Sequence, residues 1–327
     1  MIHNFSLIRR GFLLFWVFAA MLPGTVTAQS REYPNRSIRL IVGFVAGGPS
    51  DILARLIAHE FSVTLGQPVI VENKPGADAN IAMDTVAHST PDGYTLLLAQ
   101  SGMTINPAIY DSFKLRPDKD FTPIGMIGEA ANVVAVNSNV PARSIEELIT
   151  YTKANPGKLN FASSSSPTRL ATEMLNAMAG TKMVMIPYKG TPPAITDLLA
   201  GNVQVLISSV TTLQPFRQDG RLRFLATTGS KRAGLMSDLS TVAEKAIVGY
   251  EAVTWYGLVG PAKMPTEVAG KLEKALNAAL AKPELLEQLR SLGLDVRQRT
   301  PADFSRFLKA DLAKWAEVVA KSGAKVE

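Results

Sequence analysis

Four short stretches of this 327-residue chain combine residue types that can hold an anion. They read FVAGGPSD (44–51), QSGMTINP (100–107), ASSSSPTR (162–169) and YKGTPP (188–193). In the first, Gly47 and Gly48 let the backbone turn tightly and approach a ligand closely. Pro49 or Ser50 then opens a helix, so free amides and the positive end of its dipole face the same space. In the third, Ser163, Ser164, Ser165, Ser166 and Thr168 place hydroxyls and amides at a second helix start, and Arg169 adds a cation. The other two stretches offer Ser101, Thr104, Asn106, Tyr188, Lys189, Gly190 and Thr191. Asp51 is the only acid in the four; it would repel a carboxylate and suits the amides of its own turn or a neighbouring loop. A donor-rich inventory of this kind fits a carboxylate ligand. The glycines alone leave a bare tight turn equally open. The serine loop, lying between a strand and a helix, favours a ligand shell, with Arg169 either in that shell or facing solvent.

Other chemistries lack their residues. Gly43 and Gly47 are four apart, so no G-x-G-x-x-G exists, and no Gly-Lys-Ser/Thr follows the glycines. No G-x-S-x-G nucleophile turn is present. His59 falls inside the first helix and His88 just before the turn STPDG, where both suit structural or solvent-facing roles. No His, Asp and Glu cluster has metal-ligand spacing, and the chain has no cysteine. Neither catalysis, a cofactor nor a metal is expected.

Arg9 and Arg10, the apolar run GFLLFWVFAAML and the small residues before position 28 form a secretory leader, in the general or twin-arginine style. Cleavage after Ala28 leaves 299 residues and lowers the formal charge from +6 to +4. The basic residues are spread out and not interleaved with aromatics, so no nucleic-acid partner is expected. An exported chain without cysteine fits a periplasmic protein held by its core alone, and a monomer is expected.

Positioning the four stretches falls to alternating strands and helices. IRLIVGF, PVIVEN, GYTLLLAQ, NVVAVNS, LNFASS, MVMIPY, VQVLISS, RLRFLATT and AVTWYGLVGP read as strands. Ile52, Leu53, Leu56, Ile57 and Phe61 mark one face of the first helix. Ser144 with Glu147 reads as a capping box, Thr300 as the cap of the last helix, and three helical segments are expected to finish the chain. Trp255 suits the core first and the cleft second, and Trp315 should pack. The alternation predicts an α/β fold of mostly parallel sheets flanked by helices. The expected division is a leader (1–28), one lobe from 29–130 plus 250–327, and a second from 131–249, with a ligand cleft between them. Ligands of open α/β sheets bind at strand carboxyl ends, where all four stretches fall.

The order of FVAGGPSD, GQPVIVENKPGA, PDGYTLLLAQSG, INPAIY, NPGKLNFASS, IPYKGTPPAITDLLAGNVQ and TWYGLVGPAKMP resembles the Bug family across essentially the whole chain after the leader. These are periplasmic substrate receptors of tripartite tricarboxylate transporters. The resemblance implies a two-lobed, type II-like periplasmic binding protein that closes on a di- or tricarboxylate or other organic acid and delivers it to the transporter's membrane subunits. A ligand-presenting receptor for a sensor kinase needs the same fold. The family's carboxylate contacts carry over to Phe44, Ala46, Gly47, Gly48 and Asp51, and its serine loop to Ser163, Ser164 and Ser165. Three positions depart from the pattern. Asp78 and Ala79 stand where two glycines are usual, Arg169 where histidine is common, and Ser208 where aspartate is frequent. Since Ser208 supplies no charge for an ammonium, the expected ligand is a carboxylate without an amino group, a dicarboxylate reaching Arg169 among them.

Overall fold

A computed structural model describes residues 32–324, so the expected leader lies outside the described residues. Two mixed sheets carry the fold. The first has six strands in the order β11-β4-β10-β3-β1-β2, and the second five in the order β7-β6-β8-β5-β9. In chain order the first half runs β1 (Ile38–Val42), α1 (Pro49–Leu65), β2 (Val69–Asn73), α2 (Asn80–Ala87), β3 (Thr95–Gln100), α3 (Gly102–Ile109) and β4 (Phe121–Ala130). The second sheet's segment follows with β5 (Asn132–Asn137), α4 (Ile145–Ala154), β6 (Asn160–Ser163), α5 (Ser166–Ala179), β7 (Val184–Pro187), α6 (Thr191–Ala200), β8 (Val205–Ser209), α7 (Val210–Leu213), β9 (Leu222–Thr227) and α8 (Val242–Lys245). The chain ends with β10 (Thr254–Pro261), α9 (Thr266–Leu280), α10 (Pro283–Ser291), β11 (Leu294–Arg299) and α11 (Pro301–Ser322).

Each sheet has a parallel part. β1 pairs parallel with β2 and β3, and β6 with β7 and β8. The strands on either side of the crossings pair antiparallel instead: β10 with β3 and β4, and β5 with β8 and β9. β11 adds an antiparallel edge to β4, a strand hidden in the sequence because LDVRQR is polar and half-exposed. The chain leaves the first sheet at Ala131 and returns after Thr228. Thr228 Oγ1 ties these passages together, accepting from Asn132 N (3.0 Å) and donating to Ala252 O (2.8 Å). Asn132 Nδ2 donates to the same carbonyl at 3.0 Å.

Local signals explain the helix bounds. Thr300 Oγ1 accepts from Asp303 N at α11 as expected. At α4, Ser144 Oγ accepts from Glu147 N, but the Glu147 carboxylate reaches back to Arg143 N and not to the cap's own amide. A full capping box occurs at Thr241 and Glu244. The buried face of α1 is Leu53, Ala54, Ile57, Ala58 and Phe61, while Ile52 is exposed. The helical step of about 100° per residue carries Ile52 off that face.

The C-terminal helix α11 spans both cores. Phe304 and Leu308 pack with strands of the first sheet, whereas Trp315, Val318 and Val319 join the core that holds Val134 of β5 and Phe161 of β6. A buried indole needs an acceptor, and one carboxylate serves two. Asp311 Oδ2 accepts from Trp255 Nε1 at 3.0 Å and Trp315 Nε1 at 3.1 Å. Trp255 is thus a core residue, packed edge-on against Phe304 and Phe307.

Candidate functional site

The loop after β1 is held from behind. Asp51 is buried, and its carboxylate accepts from Gly47 N (2.9 Å), Asn73 Nδ2 (2.9 Å) and both arms of Arg55 (2.9 and 3.0 Å). Arg55 foremost, with the loop amide and Asn73, holds the Asp51 carboxyl down at about 2. Asn73 Nδ2 also donates to Phe44 O at 2.9 Å, fixing the loop's entry. Gly47 has φ +82°, which the turn requires of a glycine. Its amide donates to Asp51, as the sequence suggests for an acid in this turn, and the pair shapes the loop; neither of these two carried-over contact residues lines the cavity between the two sheets. Ala46 is exposed and Gly48 caps α1. Ser50 is buried and donates to Gln100 Oε1 at 3.3 Å, linking this loop to the end of β3.

The loops of the second sheet are also braced. Ser164 Oγ and Thr191 Oγ1 lie 3.0 Å apart, joining the starts of α5 and α6, and Ser165 Oγ and Thr168 Oγ1 lie 3.0 Å apart within the first turn of α5. Ser163 turns inward, its hydroxyl donating to Ser165 O at 3.3 Å. Gly190, with φ +120°, opens α6, and Lys189 is exposed.

In the loop after β3, Ser101 and Thr104 are corrected to structural roles. Both are fully buried. Ser101 Oγ accepts from Trp255 N (2.9 Å), and Thr104 Oγ1 donates to Asp311 Oδ2 (2.6 Å). Asn106 lies beside them and takes another direction. Its Nδ2 donates to Asp78 O (2.9 Å) and Asn80 Oδ1 (2.6 Å).

Asp78 belongs to a short turn, Ala77–Ala79, in which all three residues adopt left-handed backbone: φ is +47°, +50° and +71°. Side chains are disfavoured there, which explains the physical use of glycine at such positions. The turn aims the Asp78 carboxylate at the second sheet. Oδ2 accepts from Tyr110 Oη at 2.9 Å and from Ser166 Oγ at 2.5 Å. Burial first, and the Asp78 charge next, push the Tyr110 phenol up, which keeps it a donor.

These elements enclose a cavity of roughly 300 Å³ between the two sheets. Of the expected residues, Phe44, Asn106, Ser165, Thr168 and Ser208 line it; Arg169 and Lys189 do not. Sequence reasoning missed Asp78, Gln100, Asn132, Ser209, Thr254 and Tyr256 as lining residues. Gln100 begins the donor-rich stretch 100–107, and Asp78 stands where a glycine pair is usual; the others carry no signal. An apolar annex of about 100 Å³ shares Pro49, Ser209, Thr254 and Tyr256 and extends to Leu53, Leu292 and Leu294. Asp78 is the one charged side chain among the described lining residues. Positive potential comes instead from helix starts. Pro49, Gly102, Pro167 and Thr191 lie in the first turns of α1, α3, α5 and α6, helices of 17, 8, 14 and 10 residues. No group of three or more metal-ligating side chains occurs among the described residues.

The fold is shared with known proteins. The R. palustris protein Rpa4515, solved with adipate, is 33% identical, with a TM-score of 0.77 over 89% of this chain and 99% of that one. The periplasmic binding protein BugD is 34% identical, with a TM-score of 0.75 over 90% and 100%. MatC from Rhodopseudomonas palustris, with bound malate, is 29% identical, with a TM-score of 0.73 over 88% and 100%. The family model described as tripartite tricarboxylate transporter family receptor matches residues 53–324. The two-sheeted α/β chain thus belongs to the tripartite tricarboxylate transporter receptor family, whose members are solute-binding receptors of the periplasm and not enzymes.

Proposed function

We propose that this protein captures a small organic carboxylate in the cavity between its sheets and presents it to the membrane subunits of a tripartite tricarboxylate transporter. The observation that carries the reading is the meeting of four helix starts at a cavity without a lining cation. Each helix start contributes about 0.3–1 kcal/mol to an anion. Together they fall short of the roughly 8 kcal/mol of micromolar binding. The remainder must come from hydrogen bonds to a charged group, at about 1.5–3 kcal/mol each. Ser165, Thr168, Thr191, Ser208 and Thr212 line the cavity and supply such donors. Carboxylates in two structural neighbours, adipate and malate, support the same ligand class.

In this reading residues 29–130 plus 250–327 and residues 131–249 act as lobes. Their hinge is the pair of passages tied by Asn132, Thr228 and Ala252. Capture closes the lobes and makes a surface that the transporter recognises. Thermal shift with adipate, succinate, glutarate and malate against their diamides tests the ligand class. Stabilisation by at least one acid and by no diamide is expected; equal shifts from acid and diamide overturn it.

A further inference from the structure

The cavity holds one acid and no base, which is an odd endowment for an anion site. Asp78 lines it as the one charged side chain among the described residues. Its Oδ2 takes both hydrogen bonds, from Tyr110 and Ser166, while Oδ1 receives none from the described residues. Asn106 lines the same wall and is fully buried, and its Oδ1 is closed off without a donor. The amide's orientation is fixed, because Nδ2 faces the carbonyl of Asp78, which can only accept. A buried acceptor left unpaired costs about 1–3 kcal/mol. Two under-used acceptors, one of them charged, therefore belong to neighbouring residues of one cavity wall, and hydroxyls and helix starts line the others.

We propose that Asp78 and Asn106 form a subsite for an ammonium group, so that the ligand is an amino-carboxylate. The inference rests on the carboxylate reading above and deepens it. The carboxylate sits against the helix starts and hydroxyls away from Asp78, and the ammonium donates to Asp78 Oδ1, with Asn106 shifting to turn its closed-off Oδ1 toward the same group. A second carboxylate in that place would meet Asp78 at like charge and find no lining cation. Calcium or magnesium would need about six or more oxygen ligands, and no group of three or more metal-ligating side chains occurs among the described residues. The expectation drawn from Ser208, that the ligand lacks an amino group, is thereby reversed. Ser208 does line the cavity without a charge, but Asp78 brings the acid in from the opposite sheet. Three consecutive left-handed residues without glycine hold that acid in place. Such strain persists where the surroundings over-determine it.

Titration calorimetry of the wild type and the Asp78→Asn and Asp78→Gly variants tests the subsite. The probes are succinate, L-malate and L-aspartate, which differ only at one carbon, together with glutarate against 4-aminobutyrate and adipate against 5-aminovalerate. Asparagine tolerates left-handed backbone and glycine prefers it, so both variants should fold, as melting curves would verify. In the wild type, at least one amino compound should bind tenfold or more tightly than its partner without the amine. In both variants that ratio should fall below threefold. A wild type that prefers the dicarboxylate or malate, or a ratio that persists in the variants, overturns the subsite and leaves the carboxylate reading standing. Binding of none of these acids overturns both.

Discussion

The Ser166 hydroxyl donates to Asp78 Oδ2 at 2.5 Å and so joins the first turn of α5 to the turn before α2. Asp78 precedes a helix of the six-stranded sheet's segment and Ser166 opens one of the five-stranded sheet's segment, so the bond ties the two segments together beside the cavity that Asp78 lines. A charge-assisted bond of this kind contributes about 1.5–3 kcal/mol. Ser166→Ala should therefore loosen the approach of the two sheets. The expected result is a larger radius of gyration for the unliganded protein in small-angle scattering, and ligand affinity reduced about three- to tenfold. An unchanged radius would mean the bond does not hold the two sheets in their present approach.

Asp51 shapes the first loop through charge. The Arg55 guanidinium foremost holds its carboxyl down at about 2, below the ordinary 3.8. A depressed carboxylate stabilises fully above its unfolded value, and the contribution is lost as pH falls through the folded value. The shift corresponds to roughly 1–2 kcal/mol once the exposed Arg55 side of the pair is discounted for screening. Asp51→Asn should lower unfolding free energy by that amount at neutral pH. The gap to wild type should close between 3.8 and about 2. Denaturant titrations at several pH values check this; a pH-independent gap would contradict it.

Asp311 carries a heavier load. It is buried and serves Thr104, Trp255, Trp315 and Lys314. Asp311→Ala strands three buried donors, each costing about 1–3 kcal/mol. A loss of about 3–5 kcal/mol is expected, with altered tryptophan emission. Asp311→Asn keeps acceptor capacity and should lose less. Equal losses would assign the effect to packing alone.

Strain in the Ala77–Ala79 turn can be relieved where no function is touched. Ala77 is exposed and has φ +47°. Glycine there removes a left-handed penalty of about 1–2 kcal/mol but adds unfolded-state entropy of nearly 1 kcal/mol. Ala77→Gly should raise the melting temperature slightly or leave it unchanged. A clear fall would show that the turn is not strained.

Much of the architecture was legible because strands and helices carry local patterns. The strands of both sheets other than β4 and β11, the Thr300 cap and the helix-opening loops all follow from spacing and turn chemistry. Strand direction did not, since β5 and β10 look alike in sequence whether they run with or against their neighbours. β11 escaped because an exposed edge strand need not alternate. Residue type pointed to loops that reach the cavity but not to which side of each loop faces in. Thr104 was claimed by Asp311, 207 residues later, and Gly47 by Asp51. Asp78 fell outside every strand-end loop considered, and its only mark was an acid where glycines are usual. Such long-range pairings depend on how the sheets meet, which no local window contains.

The most direct measurement is calorimetric titration of the refolded, ligand-stripped protein with the carboxylates named above and with their primary amides. Carboxylate capture by helix starts and hydroxyls predicts at least one acid binding tenfold or more tightly than its amide, and a severalfold loss in Thr168→Ala. An amide that binds as tightly as its acid, or the absence of binding by any acid, would contradict it.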